Sequence, residues 1–186
     1  MLEKRIFDLD IEKCVGCGAC AIACMDQNDR EPEKGDRLFR NIGNIEFPAT
    51  GTKIRYLSLG CMHCDDAPCV TACPCNVLHK NAYGLTVYDN TGCIGCHSCL
   101  LACPYGVPTF ADAPGSKMEK CNGCAVRLEN GLQPACVRIC PTKALTCMTE
   151  EEYCFADLTH SLRTMMHTGP EPKPDRDTKG RTGTDA

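Results

Sequence analysis

The chain has 186 residues, of which 19 are Cys, 5% are aromatic and none is Trp, and its formal charge at pH 7 is -4. So few large apolar side chains do not hold a domain of this length together by themselves, which points to ties through sulfur, either disulfides or metal. The slight negative charge, with Lys and Arg scattered, excludes a nucleic-acid footprint, and no stretch nears the roughly 18 apolar residues of a membrane span.

In chain order, MLEKRIFDLDIEK has no apolar secretory core and reads as a strand, with Ile6, Leu9 and Ile11 assigned to one face. The first cysteine block follows at Cys14, Cys17, Cys20 and Cys24, and AIACMDQ within it reads as helix. Met25 stands where the other blocks carry proline, so this helix is expected to run on towards Asn28. The charged loop DQNDREPEKGD then leads to RLFRNIGNIEF and KIRYLSL around the turn signal PATG, an expected hairpin inserted over about residues 25–60.

The second block is Cys61, Cys64, Cys69 and Cys73; VLHK and LTVYD flanking NAYG form a further hairpin candidate. The third block is Cys93, Cys96, Cys99 and Cys103, with LLAC as helix, and the fourth is Cys121, Cys124, Cys136 and Cys140. Within the fourth, AVRLENGLQPA offers Gly131 as a helix stop and Pro134 as a helix start before the helical PACVRIC. Residues 143–148 (KALTCM) read as a last strand. Residues 149–167 read as a helix with a Thr149/Glu152 capping box and an apolar stripe of Phe155, Leu158, Leu162 and Met165. The tail, residues 168–186, has no large apolar residue and is expected to be disordered alone and extended against a partner.

Sixteen of the 19 cysteines fall in these blocks. The first and third follow C-x2-C-x2-C-x3-C, the bacterial ferredoxin run, in which three thiolates wrap one iron–sulfur cluster and the fourth reaches a neighbouring one. Two-residue spacers in a tight loop turn sulfurs towards adjacent irons, and the glycines in CVGCGAC and CIGC let backbone N–H groups approach them. The fourth cysteine, one helical turn beyond the third, points away from the first cluster. Pro74, Pro104 and Pro141 then stop the helix. The second and fourth blocks stretch one spacer but keep both ends of the pattern.

Zinc also uses C-x2-C pairs, but zinc sites close at four ligands and nothing in them calls for C-x3-C-P. Disulfides are disfavoured by the missing secretory signal and by an odd number of cysteines. Each oxidised cluster with four thiolates carries roughly -2, so four would bring the chain to about -12. Lys13 and Lys120, each before a block-opening cysteine, and Arg138, between Cys136 and Cys140, are either surface charges or tuning groups. Cys75, Cys147 and Cys154 read as small apolar residues, and His63 and His97 as neighbours of the ligands or surface groups. Ligation is expected to carry much of the folding free energy, leaving the metal-free chain largely unfolded.

CMHCDDAPCVTACP, CIGCHSCLLACPYGVP and EKCNGCAVRLENGLQPACVRICPTKAL, with the first block, resemble the four-cluster ferredoxin-type electron-transfer subunits of molybdopterin or tungstopterin oxidoreductases. That group includes subunits of dimethyl sulfoxide reductase, thiosulfate or polysulfide reductase and formate dehydrogenase; CMHC followed by APCV is also similar to the small subunit of pyrogallol transhydroxylase. The resemblance implies that the first block pairs with the fourth and the second with the third. Cluster one would take Cys14, Cys17, Cys20 and Cys140; cluster two, Cys24, Cys121, Cys124 and Cys136. Cluster three would take Cys61, Cys64, Cys69 and Cys103; cluster four, Cys73, Cys93, Cys96 and Cys99. It further implies that cluster one faces the catalytic subunit's cofactor and cluster four the outer redox partner.

The expected fold is α+β, two bacterial-ferredoxin-like dicluster modules related by a pseudo-twofold, with hairpin insertions, a C-terminal helix and an extended tail. The expected divisions are 1–148, 149–167 and 168–186. The expected role is a relay of single electrons through four 4Fe-4S clusters, between a catalytic molybdopterin or tungstopterin subunit and an external carrier or membrane-anchor subunit. No nucleophile–base pair, nucleotide loop or open metal site suggests catalysis in this chain. The alternatives are a free-standing polyferredoxin or hydrogenase-associated relay, and a zinc- or disulfide-stabilised interaction module. Without a signal peptide, the expected location is the cytoplasm, or export in folded form with a signal-bearing partner.

Overall fold

The two ends of the cysteine-rich region pair with each other: β1 (Arg5–Leu9) runs antiparallel to β6 (Leu145–Thr149), with Phe7 opposite Cys147 and Leu9 opposite Leu145. The computed structural model describes residues 3–47 and 53–167, with residues 47, 53 and 159–167 described by backbone alone. The expected tail and the PATG turn lie outside the described residues. Strand alternation has a period of two, so Phe7 and Leu9 share the face that packs on the core while Ile6 points the other way. Ile11 lies beyond the strand and is 40% exposed. The expected common face of Ile6, Leu9 and Ile11 is thereby corrected, because the step from 6 to 9 is odd.

Two more antiparallel pairs follow. β2 (Arg40–Phe47) pairs with β3 (Lys53–Gly60), Arg40 opposite Gly60, and β4 (Leu78–Lys80) pairs with β5 (Thr86–Tyr88). Asn81 shapes the second turn: its Oδ1 accepts the N–H groups of Tyr83 at 3.1 Å and Leu85 at 3.0 Å.

The helices are short and each grows out of a cysteine block: α1 (Ala19–Gln27), α2 (Pro68–Thr71), α3 (Ser98–Ala102), α4 (Ala125–Glu129) and α5 (Ala135–Arg138). α1 runs on to Gln27, with Asn28 as its C-cap, since Met25 does not interrupt it. α4 ends as Gly131 predicts. Gly131, at φ 70, donates to Leu128 O at 3.0 Å, and Leu132 donates to Arg127 O at 2.8 Å, the paired bonds of a Schellman motif. Pro134 is the N-cap of α5, one position ahead of the first turn. α6 (Glu150–His167) starts where Thr149 closes β6. Within it Phe155 and Leu158 are exposed, while the side chains of Leu162 and Met165 lie outside the described residues. By contacts the chain forms two units, Met1–Glu150 and Glu151–Ala186.

The first unit holds two small cores. In one, Cys20, Cys136, Val137, Leu145 and Cys147 are buried, with Phe7, Leu9 and Ile42 against them. In the other, Ala67, Cys69, Val77, Leu78, Cys99, Phe110 and Met118 are buried. α1 packs on α5 and α2 on α3, so the first block meets the fourth and the second meets the third.

Candidate metal centres

Each block presents its thiols from a tight loop whose backbone is left-handed at the residue before the second cysteine. Gly16, His63, Gly95 and Gly123 stand there, with φ of 66°, 48°, 67° and 71°. Space is equally tight. A Cβ on Gly16 would lie 2.6 Å from Tyr56 Cγ, and one on Gly95 would lie 2.8 Å from Ser116 O. At Gly123, in the fourth block, the backbone N–H reaches a sulfur, donating to Cys121 Sγ at 3.3 Å. His63 holds this backbone at a cost of about 1–2 kcal/mol, and is buried at 6% exposed.

The loops bring thiols of different blocks together. Cys14, Cys17, Cys20 and Cys140 line one pocket together with Leu9, Ile42, Ser58 and Leu145. Cys73, Cys93, Cys96 and Cys99 line another, with Cys75, Val77, His97 and Phe110. Burial pushes the Cys24 thiol up to about 12, and the nearby Cys121, Cys136 and Cys124 push the same way, which places these four together. Burial likewise raises Cys61 and Cys69, and Cys103 acts on both. In the same loop Lys80 Nζ donates to the carbonyls of His63, at 3.0 Å, and of Cys64.

Thiols drawn together raise one another because each added thiolate repels the rest, and burial adds to it. Burial raises Cys99 to about 11, and it also raises Cys121, Cys124 and Cys136. Two thiols go the other way. Cys96 is lowered by the Ser98 hydroxyl and N–H, and at Cys140 burial acts upward but hydrogen bonds from Leu145, Thr142 and Ala144 outweigh it.

Two cations are buried among these sulfurs, Arg40 at 4% and Lys120 at 1% exposed. Arg40 interacts with Cys20, Cys24, Cys121 and Cys136, and Lys120 with Cys61, Cys69 and Cys121. Of the charges singled out in the sequence, only Lys120 is internal. Lys13 is exposed and pairs with Asp10 at 2.7 Å, and Arg138 is exposed. His97 is exposed and stacks on Phe110 at 3.8 Å. Sequence reasoning missed Arg40, Ser58 and Tyr56, which all lie in the inserted β2–β3 pair; an arginine opening an alternating strand carries no mark of burial.

All 19 cysteines are free of disulfide bonds. Among the described residues no three His, Cys, Asp or Glu side chains converge as ligands of a single ion. Soft thiolates gathered in groups and crowding one another's charge fit a multi-iron core, whose cations offset that repulsion. The fold and its sites thus define an iron–sulfur protein of the ferredoxin-like class.

The known proteins it is similar to narrow this further. A 4Fe-4S dicluster domain family matches residues 52–150, and a second 4Fe-4S dicluster domain family matches residues 7–74. The sequence is 39% identical over 151 residues to the B subunit of anaerobic dimethyl sulfoxide reductase of Escherichia coli (strain K12), covering 78% of this protein and 73% of that one. It is 34% identical over 183 residues to the arsenate respiratory reductase iron-sulfur subunit ArrB of Shewanella sp. (strain ANA-3), covering 73% and 77%. It is 38% identical over 138 residues to the thiosulfate reductase electron transfer subunit PhsB of Salmonella typhi, covering 73% and 71%. The protein belongs to the family of 4Fe-4S dicluster iron–sulfur subunits of reductase complexes.

Proposed function

We propose that this chain is the electron-transfer subunit of an oxidoreductase complex, relaying single electrons between the pterin cofactor of a catalytic molybdenum or tungsten subunit and an external redox partner. The observation that supports the reading is the packing of α1 on α5 and α2 on α3, which brings the first cysteine block against the fourth and the second against the third. Bound 4Fe-4S clusters supply the one-electron chemistry; the chain's own residues hold, space and electrically surround them.

The ligand sets follow the groups above: Cys14, Cys17, Cys20 and Cys140; Cys24, Cys121, Cys124 and Cys136; Cys61, Cys64, Cys69 and Cys103; Cys73, Cys93, Cys96 and Cys99. They make residues 1–148 a single four-cluster domain of two modules related by a pseudo-twofold. Cys17 and Cys96 are the exposed members of the first and last sets, which supports contact with the catalytic subunit at one end and the outer partner at the other. Among the described residues no helix is long and apolar enough to cross a membrane, which suits an anchor supplied by another subunit.

The test is to purify the chain with whatever it binds and measure iron and acid-labile sulfide. About sixteen of each per chain is expected, with a pterin-containing large subunit identified by mass. A colourless protein, or zinc in place of iron, overturns the reading.

A further inference from the structure

His63 and Lys120 stand where the second and third thiol sets meet, and neither is a ligand in the sets proposed above. His63 comes from the loop between Cys61 and Cys64, in left-handed backbone where the other three blocks have glycine. Its ring stacks on Phe7 at 5.5 Å. The Thr86 N–H donates to Nδ1 at 3.1 Å, which assigns the ring proton to Nε2, 3.7 Å from Cys121 Sγ. A residue of the third set's loop therefore donates to a sulfur of the second set.

Lys120 makes the opposite crossing. It precedes Cys121, yet its ammonium lies 3.8 Å from Cys61 Sγ, donates to Cys121 O at 2.7 Å and also donates to Thr86 O. Its three N–H groups thus each have an acceptor, two of them carbonyls that hold the charge in place without neutralising it. Thr86, itself 1% exposed, positions both groups, its N–H bonding His63 and its carbonyl bonding Lys120. The β4–β5 hairpin thus holds both groups at the junction, besides burying Leu78 in the core.

A fixed cation and a fixed N–H donor beside cluster sulfurs stabilise the more negative, reduced state, and they do so strongly where water is excluded. We propose that Lys120 and His63 are positioning residues that set the electrical level of the junction between the two halves of the chain, raising the reduction potential of the clusters held by the second and third thiol sets. The inference rests on the ligand sets proposed above.

The experiment is an EPR-monitored redox titration of the intact complex carrying Lys120→Met, His63→Leu or Lys120→Arg, with iron measured in each. With iron unchanged, Lys120→Met is expected to move at least one reduction wave to lower potential. At the unaltered midpoint its reduced-to-oxidised ratio falls about tenfold, a shift of about 59 mV for a one-electron couple. His63→Leu shifts in the same direction by less, and Lys120→Arg restores the level. Intact iron with every wave in place in both Lys120→Met and His63→Leu overturns the inference; if Lys120→Met does not retain iron, His63→Leu decides by the same criterion. An unaltered complex without iron or reduction waves would instead sink the underlying function.

Discussion

Ser58 Oγ lies 3.2 Å from Cys20 Sγ, and both residues are buried. Arg40 Nη1 donates to that hydroxyl at 2.9 Å and to the Ser58 carbonyl at 3.1 Å, which leaves the hydroxyl proton free to be donated to the sulfur. The β2–β3 pair is therefore part of the wall of the first thiol set.

Replacing Arg40 by Met removes the charged donor from two buried oxygens. The expected loss is about 2 kcal/mol of stability in the assembled protein, and about 1 kcal/mol for Ser58→Ala. Thermal bleaching of the visible cluster absorbance measures both, and Arg40→Met should bleach at the lower temperature.

Gly16→Ala meets two obstacles, a backbone at φ 66° and the ring of Tyr56. The backbone alone costs about 1–2 kcal/mol, and the ring contact adds to it. Iron per chain is expected to fall, and Gly16→Ala combined with Tyr56→Ala should recover part but not all of it, since only the ring contact is relieved.

Removing iron should unfold the chain. Three of the five buried members of one core are Cys20, Cys136 and Cys147, and a core of thiols buries little apolar area. Chelation under reducing conditions is expected to abolish the far-ultraviolet signal of native structure together with the colour; a compact, cooperatively melting metal-free chain would contradict it.

Reassembly should depend on pH in one direction. Burial raises Cys24 to about 12 and Cys99 to about 11, above the ordinary thiol value of 9.0. A raised thiol favours the folded, metal-free protein below pH 9.0, and that contribution is lost as pH rises towards the folded values. Iron takes the thiolate and expels those protons, so its apparent affinity climbs with pH across the neutral range. Reconstitution yield should be higher at pH 8.5 than at pH 6.5, roughly tenfold in affinity per unit for each proton released.

Cys75 lines the same cavity as Cys73, so the two test the ligand set. Cys73→Ser is expected to lower iron by about four atoms per chain, whereas Cys75→Ser leaves it unchanged. Iron analysis beside the unaltered protein distinguishes them.

Much of this protein was legible along the chain. Cysteine spacing marks the blocks, Gly131 ends α4 through a Schellman motif, and Met25 lets α1 run on, because each of these signals acts within a few residues. One local reading failed on its own terms, since a strand's alternation separates Ile6 from Leu9. What spacing leaves open is which blocks meet, and the packing of α1 on α5 and α2 on α3 decides that. Lys13 and Lys120 show the limit most directly. Each immediately precedes a block-opening cysteine, but Lys13 is exposed and bonded to Asp10, while Lys120 is 1% exposed between two thiol sets. Burial depends on what distant segments bring to the same place, and no pattern around either lysine records it.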